Sequence, residues 1–211
     1  MPHEKTRTNV SAATCVVGVK KEVSVMSGAN ILVMSDTHGN TKVIKQLLEN
    51  YQGQVAAVVH LGDYARDMAR FARQDADSAL YYIVNGNTDP LVEVYDERVI
   101  EVAGKRIFIT HGHRYDVKSK LDNLVYRAQE LQVDACLFGH THIAVLFTHK
   151  NIVFLNPGSL TYPSHDQERG YGLIRISEEN PDDSESEHHE MFCPNITGKL
   201  LTYRDPVWQE I

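Results

Sequence analysis

The sequence is poor in three things. Cysteine occurs three times in 211 residues, at Cys15, Cys136 and Cys193. The number is odd and no pair is spaced CxxC, so a disulfide framework is not indicated. Free thiols in a reducing compartment, the cytoplasm, are expected. Basic charge is in deficit: 21 Lys and Arg stand against 28 Asp and Glu, a formal net charge of −7. A nucleic-acid backbone or an anionic membrane needs a basic face, and this balance argues against either as a standing partner. A small anionic substrate stays open, because bound dications would reverse the local field. Long apolar runs are also missing. No stretch nears the ~20 residues that span a bilayer, and no continuous apolar core of a secretory signal is present near the start. There is no internal repeat.

What the chain does have is a recurring pattern. Ile31-Leu32-Val33-Met34 runs straight into Ser35-Asp36-Thr37-His38-Gly39. The apolar run predicts a strand buried on both faces. The turn after it presents a carboxylate and an imidazole at the strand's carboxyl end, where open α/β sheets place their chemistry. One Asp-x-His after a strand is weak evidence. The arrangement then recurs four times. Val55 to His60 leads to Gly62-Asp63, Leu80 to Val84 to Gly86-Asn87, Arg106 to Thr110 to His111-Gly112-His113, and Ala135 to Phe138 to Gly139-His140-Thr141-His142. Seven candidate metal ligands converge: Asp36, His38, Asp63, Asn87, His111, His140 and His142. That is too many for one ion and suits two that share a bridging carboxylate.

The rest of the chain reads as α/β. Asn40 or Thr41 caps a helix carrying Val43, Ile44, Leu47, Leu48 and Tyr51, which Gly53 ends. Ala65 to Asp77 reads as a second helix and Val117 to Leu131 as a third, amphipathic one. Val94 to Ile109 forms two strands joined at Ala103-Gly104-Lys105, and Ile143 to Leu155 a hairpin about His149-Lys150-Asn151. Asn156-Pro157-Gly158-Ser159 reads as a turn and Tyr171 to Ile176 as a strand. Glu178 to Glu190 is an acidic loop, after which Glu190 to Cys193 and Lys199 to Tyr203 pair as a last hairpin. Residues 1–29 are an N-terminal extension, polar and expected to be disordered over Met1 to Val10. Residues 30–211 make one domain. Cys136 is expected to pack in the core.

Taken together, Asp36-x-His38, Gly62-Asp63, Gly86-Asn87-x-Asp89, His111-Gly112-His113 and Gly139-His140-x-His142 resemble the calcineurin-like metallophosphoesterases, most closely the small phosphodiesterases of the YfcE type. The set is highly specific although each motif alone is not. The resemblance implies a four-layer αββα sandwich of two mixed sheets flanked by helices. It implies two divalent ions, one held by Asp36, His38 and His142, the other by Asn87, His111 and His140, with Asp63 bridging. Mn²⁺ is the first expectation, with Fe, Zn, Ni and Co as alternatives for such an oxygen and nitrogen set. Hydroxide between the ions would attack a small phosphodiester in line with its leaving oxygen. Asn87 would also address the phosphate, and His113 would touch substrate or donate a proton. The catalytic set is thus Asp63, Asn87 and His113.

One position departs from the wider superfamily, which carries histidine after the Asn. Here it is Thr88, whose hydroxyl cannot act as a general acid at neutral pH. Two alternatives accompany the phosphodiesterase reading. A phosphomonoesterase shares the same motifs. A non-catalytic scaffold, as in the retromer subunit Vps29, would be marked by lost ligands, and all seven stand here. The family includes dimers and tetramers, but the sequence carries no interface signature for a homo-oligomer.

Overall fold

The computed structural model describes residues 28–75, 78–90, 94–164, 166–177 and 195–204. The expectations for most of the N-terminal extension, the acidic loop and the strand at Glu190 to Cys193 fall outside those residues.

Among the described residues ten strands form two five-stranded mixed sheets. The first holds β1 (Ala29–Met34), β2 (Ala57–His60), β3 (Leu80–Ile83), β9 (Gly170–Ile176) and β10 (Ile196–Thr202), in the order β10-β9-β1-β2-β3. β1, β2 and β3 run parallel, while β9 and β10 are antiparallel additions. The second holds β4 (Glu97–Val102), β5 (Lys105–Thr110), β6 (Ala135–Leu137), β7 (Ala144–His149) and β8 (Ile152–Pro157), in the order β4-β5-β6-β8-β7. β5, β6 and β8 are parallel, and antiparallel hairpins close both edges. The α-helices among the described residues are three: α1 (Thr41–Asn50), α2 (Ala65–Gln74) and α3 (Asp122–Glu130). Among the described residues no helix is long and apolar enough to cross a membrane.

Strand alternation builds three separate cores. Ile31 and Val33 of β1, with Ala57 and Val59 of β2, pack against Ile107, Ile109, Ala135, Leu137, Val153 and Leu155 of the facing sheet. The residues between them point the other way, as the period of two requires. Leu32, Met34 and Val58 meet Val43, Ile44 and Leu47 of α1 and Met68 of α2. Phe108, Cys136 and Phe154 meet Leu124 and Ala128 of α3. Helix, sheet, sheet, helix is therefore the layer order, and both faces of the central strands are buried. That explains their near-continuous apolar character. Burial pushes the Cys136 thiol well above its ordinary range, in keeping with core packing.

Among the boundaries that differ from those the sequence predicts, two have a clear physical cause. α3 starts at Asp122, not at Val117, because His113–Tyr115 forms a short 3-10 turn and Asp116 takes a left-handed φ of 54°. The Asp116 side chain accepts from the Ser119 hydroxyl at 2.9 Å, a local bond that competes with helix formation. Asn156 and Pro157 close β8, and the turn begins only at Gly158. A proline is tolerated there because β6 has already ended at the Leu137–Leu155 pair. The final strand pairs with β9 in the first sheet.

Candidate metal centre

β1, β2, β3, β5 and β6 bring their carboxyl ends to one rim, so both sheets supply ligands to the same place. The turns that follow are strained. Asp36, His38, Asp63, His140 and His142 all have φ between 44° and 70°. A non-glycine residue there is uncommon and clusters at functional sites. Of the neighbouring glycines, Gly39, Gly62 and Gly112 take a positive φ, whereas Gly86 and Gly139 do not. Those two supply room. A Cβ on Gly86 would lie 2.1 Å from Asp63 Oδ1, and one on Gly139 would lie 2.0 Å from Ser35 Oγ.

The side chains fall into two groups that meet at Asp63. In the first, one ligand atom from each of Asp36, His38, Asp63 and His142 lies within 4.8 Å of the others. His142 Nε2 is 3.0 Å from Asp36 Oδ1, and His38 Nε2 is 3.6 Å from Asp63 Oδ2. In the second, His111 Nε2 stands 3.4 Å from Asp63 Oδ1, 3.2 Å from Asn87 Oδ1 and 3.2 Å from His140 Nδ1. The two oxygens of Asp63 thus face different groups.

The donor atoms fit a divalent ion. Ligands about 2.0–2.2 Å from a common centre stand about 3–3.5 Å apart, close to the spacing found. Asp36 Oδ1 and His38 Nε2 are buried without an aligned hydrogen bond. Such atoms are costly unless something else satisfies them. The imidazoles are turned to suit. His111 Nδ1 is 2.7 Å from the Leu61 carbonyl, and His142 Nδ1 is 2.6 Å from the Tyr162 carbonyl. With Nδ1 donating to its carbonyl, each ring, once its Nε2 is free of a proton, turns that nitrogen's lone pair to the cluster.

Electrostatics agree. Burial, with the charges of His111 and Lys118, holds His140 down to about 4 and so neutral. Burial works to raise the Asp36 carboxyl, but the contacts with His142 and Ser35 and the charge of His111 keep it below the carboxylate range. The same Asp36 contact raises His142, against its burial.

The structure also places the other histidines and the acid near these motifs. His60 is fully buried behind the site. Its Nδ1 accepts from the Gly62 amide at 3.2 Å, and its Nε2 is 3.0 Å from the Thr37 hydroxyl. Asp89 orients its loop by accepting from the Gly86 and Ala65 amides, each at 2.8 Å. His113 lies beside the second group, its ring centroid 5.4 Å from that of His111 and 6.1 Å from that of His140. Its Nδ1 is buried without a hydrogen-bond partner. Burial, His111 and Arg114 lower its pKa. His149 is exposed and apart from the cluster.

Three contributors escape sequence reasoning. Asn156 donates to the Gly139 carbonyl at 2.9 Å and to the Thr141 hydroxyl at 3.0 Å, and so pins the loop of His140 and His142. The Ser159 hydroxyl donates to the Asp36 carbonyl and accepts from the Thr161 and Tyr162 amides. The Tyr162 carbonyl orients His142. The available signal was a sixth apolar strand, β8, ending in Asn-Pro-Gly-Ser at the same rim.

Residues 30–179 match the family model of the calcineurin-like phosphoesterase superfamily domain. A Bacillus subtilis (strain 168) protein named a probable metallophosphoesterase, YsnB, is 30% identical over 147 residues, covering 70% of this chain and 84% of that one. A crystal structure of a predicted phosphoesterase from Streptococcus pneumoniae TIGR4 is 33% identical, covers 74% of this chain and 87% of its own, and superposes with a TM-score of 0.62. Vacuolar protein sorting 29 from Cryptosporidium parvum shares the fold at 17% identity, over 84% of this chain and all of its own, with a TM-score of 0.63.

Proposed function

Because the chain belongs to the calcineurin-like phosphoesterase superfamily, we propose that it is a two-metal phosphodiesterase acting on small phosphodiesters. The observation that carries this reading is Asp63, whose Oδ2 faces His38 at 3.6 Å while its Oδ1 faces His111 at 3.4 Å. Asp36, His38 and His142 would hold one ion, Asn87, His111 and His140 the other, and Asp63 both. The oxygen and nitrogen donors suit Mn²⁺ or a neighbouring transition ion. Bound there, the ions supply Lewis acidity toward a phosphoryl oxygen and a water acidic enough to ionise near neutral pH.

The chain's own groups handle binding and protons. Asn87 is exposed at the rim, and with its Oδ1 turned to His111 its amide nitrogen can donate to a phosphoryl oxygen. The Thr88 amide donates to Asp63 Oδ1 at 3.0 Å and fixes that carboxylate. His113, with its lowered pKa, is neutral at physiological pH, and its ring stands beside His111 and His140, where it would meet substrate. The likeness to vacuolar protein sorting 29 keeps a scaffold as the alternative of another class, and the retained ligand set weighs against it.

Protein purified without chelator should carry about two metals per chain. With Mn²⁺ it should hydrolyse bis-p-nitrophenyl phosphate faster than p-nitrophenyl phosphate. Asp63→Ala and His140→Ala should abolish both. Monoester preference would select the phosphomonoesterase. Bound metal with no hydrolysis across a broad phosphoester panel would select the scaffold.

A further inference from the structure

Two tyrosines from opposite sheets flank the same candidate ligand. Tyr64 follows β2 and Tyr162 follows β8. Their ring centroids lie 5.5 Å and 5.4 Å from that of His38. Neither placement is explained by the fold. Tyr64 is the N-cap of α2, where Ser, Thr, Asp or Asn would satisfy a free amide, and its side chain makes no cap bond. It also takes a left-handed φ of 74°, disfavoured for a bulky residue. The Arg66 guanidinium sits 5.2 Å over its ring. A choice that breaks two local rules is expected where function demands it.

Tyr162 has the complementary character. Its backbone is fixed at both ends, the amide donating to Ser159 Oγ at 2.9 Å and the carbonyl accepting from His142 at 2.6 Å. Its side chain is left in water, 61% exposed. A rigid backbone that carries an open aromatic face beside a reactive cluster is a stacking platform.

Building on the phosphodiesterase reading, we propose that Tyr162, with Tyr64 as the fixed wall opposite, selects phosphodiesters in which the ester group that stays on phosphorus carries a planar aromatic ring, a nucleobase or an aryl group. The phosphate lies at the cluster, and the planar group stacks on the accessible face of Tyr162. Alkyl and glycerol diesters lack that contact.

The test uses two diesters with one leaving group, thymidine 5′-(p-nitrophenyl phosphate) and methyl p-nitrophenyl phosphate, assayed with Mn²⁺. The native protein should favour the thymidine ester by about 10-fold or more in kcat/KM, mainly through KM. Tyr162→Leu should bring the ratio of the two close to one, and Tyr162→Phe should keep it. Metal content measured on every variant separates loss of stacking from loss of the centre. Bis-p-nitrophenyl phosphate separates an aryl from a nucleoside preference. Equal handling of both esters by the native protein, or a ratio unmoved in Tyr162→Leu, overturns this inference and leaves the phosphodiesterase reading intact. If neither diester is cleaved, that reading fails instead. Calorimetry of thymidine 5′-monophosphate against inorganic phosphate, each with Mn²⁺, then decides the stacking. Tighter nucleotide binding lost in Tyr162→Leu supports it, and equal binding overturns it.

Discussion

The Nε2 nitrogen of His142 lies 3.0 Å from Oδ1 of Asp36, on a ring whose Nδ1 is committed to the Tyr162 carbonyl. Without metal the pair is held by a proton, since the Asp36 contact raises the pKa of His142. A divalent ion must displace that proton. Metal binding near pH 6.5 should therefore release protons, and affinity should fall as the pH drops through the raised pKa. Calorimetry of Mn²⁺ in buffers of differing ionisation enthalpy reads the release directly. Saturating Mn²⁺ should also raise Tm by about 5–10 °C over chelator-treated protein. An unchanged Tm with every divalent ion tried would remove the metal centre.

Asn156 gives a test at a distance from the ligands. Its amide nitrogen serves the Gly139 carbonyl and the Thr141 hydroxyl, while its oxygen accepts from the Gly158 amide. Asn156→Ala leaves the buried Gly158 amide without its partner, at a cost of about 1–3 kcal/mol where water cannot reach, and takes one bond each from the Gly139 carbonyl, which keeps the Thr141 amide, and the Thr141 hydroxyl, which keeps Ile143. The loop bearing His140 and His142 loses its support. Metal affinity or kcat should fall about 10–100-fold, as for other groups that orient ligands. Metal titration and circular dichroism together separate this from global unfolding. Native affinity in a folded Asn156→Ala protein would show that the loop holds itself.

The strand ends were legible because each couples an apolar run to a ligand and a glycine, a signal that lies within a few residues. Asp36, Asp63, Asn87, His111 and His140 could all be found that way. The layer order was less legible. Leu32 and Val33 look alike in sequence, and only the fold shows that one faces α1 and the other the second sheet. Asn156 and Ser159 were missed because an Asn-Pro-Gly-Ser run is also what an ordinary turn requires. Their roles rest on contacts outside the run itself, Asn156 to Gly139 and Thr141 and Ser159 to Asp36, which lies 123 residues away. The early start given to the third helix shows the same limit, since Val117 packs in that helix's core without being helical.

His60 makes stability depend on pH. Burial lowers its pKa from 6.5 to about 4. The folded protein keeps it neutral while the unfolded chain protonates near 6.5. Its contribution is therefore fully present above about pH 6.5 and is lost progressively as the pH falls toward 4. The loss amounts to about 3 kcal/mol. His60→Asn keeps an acceptor for the Gly62 amide but gives up the Thr37 contact. It should cost about 1–3 kcal/mol at pH 8. The gap between variant and native stability should then narrow below pH 6.5. Urea unfolding of chelator-treated proteins from pH 8 to pH 4.5 measures this, and parallel curves would exclude His60 as the source.

Thr88 sets the chemistry at the leaving group. It is exposed at the rim, and its amide is spent on Asp63 Oδ1. Its hydroxyl is far too weak an acid to protonate a departing alkoxide at neutral pH. Unless His113 or water supplies the proton efficiently, the leaving oxygen departs as an anion. Turnover of a series of aryl methyl phosphates should then fall steadily as the phenol pKa rises. Thr88→His puts an imidazole where the wider superfamily carries one. If it acts as the acid there, the slope should flatten, with the largest gain for the poorest leaving groups and little change for p-nitrophenolate. Because the Thr88 backbone amide is kept, the Asp63 contact and the metal content should survive, and elemental analysis checks this. A flat dependence in the native protein would mean that a proton is already delivered, and His113→Ala, by making that dependence steep, would identify the donor.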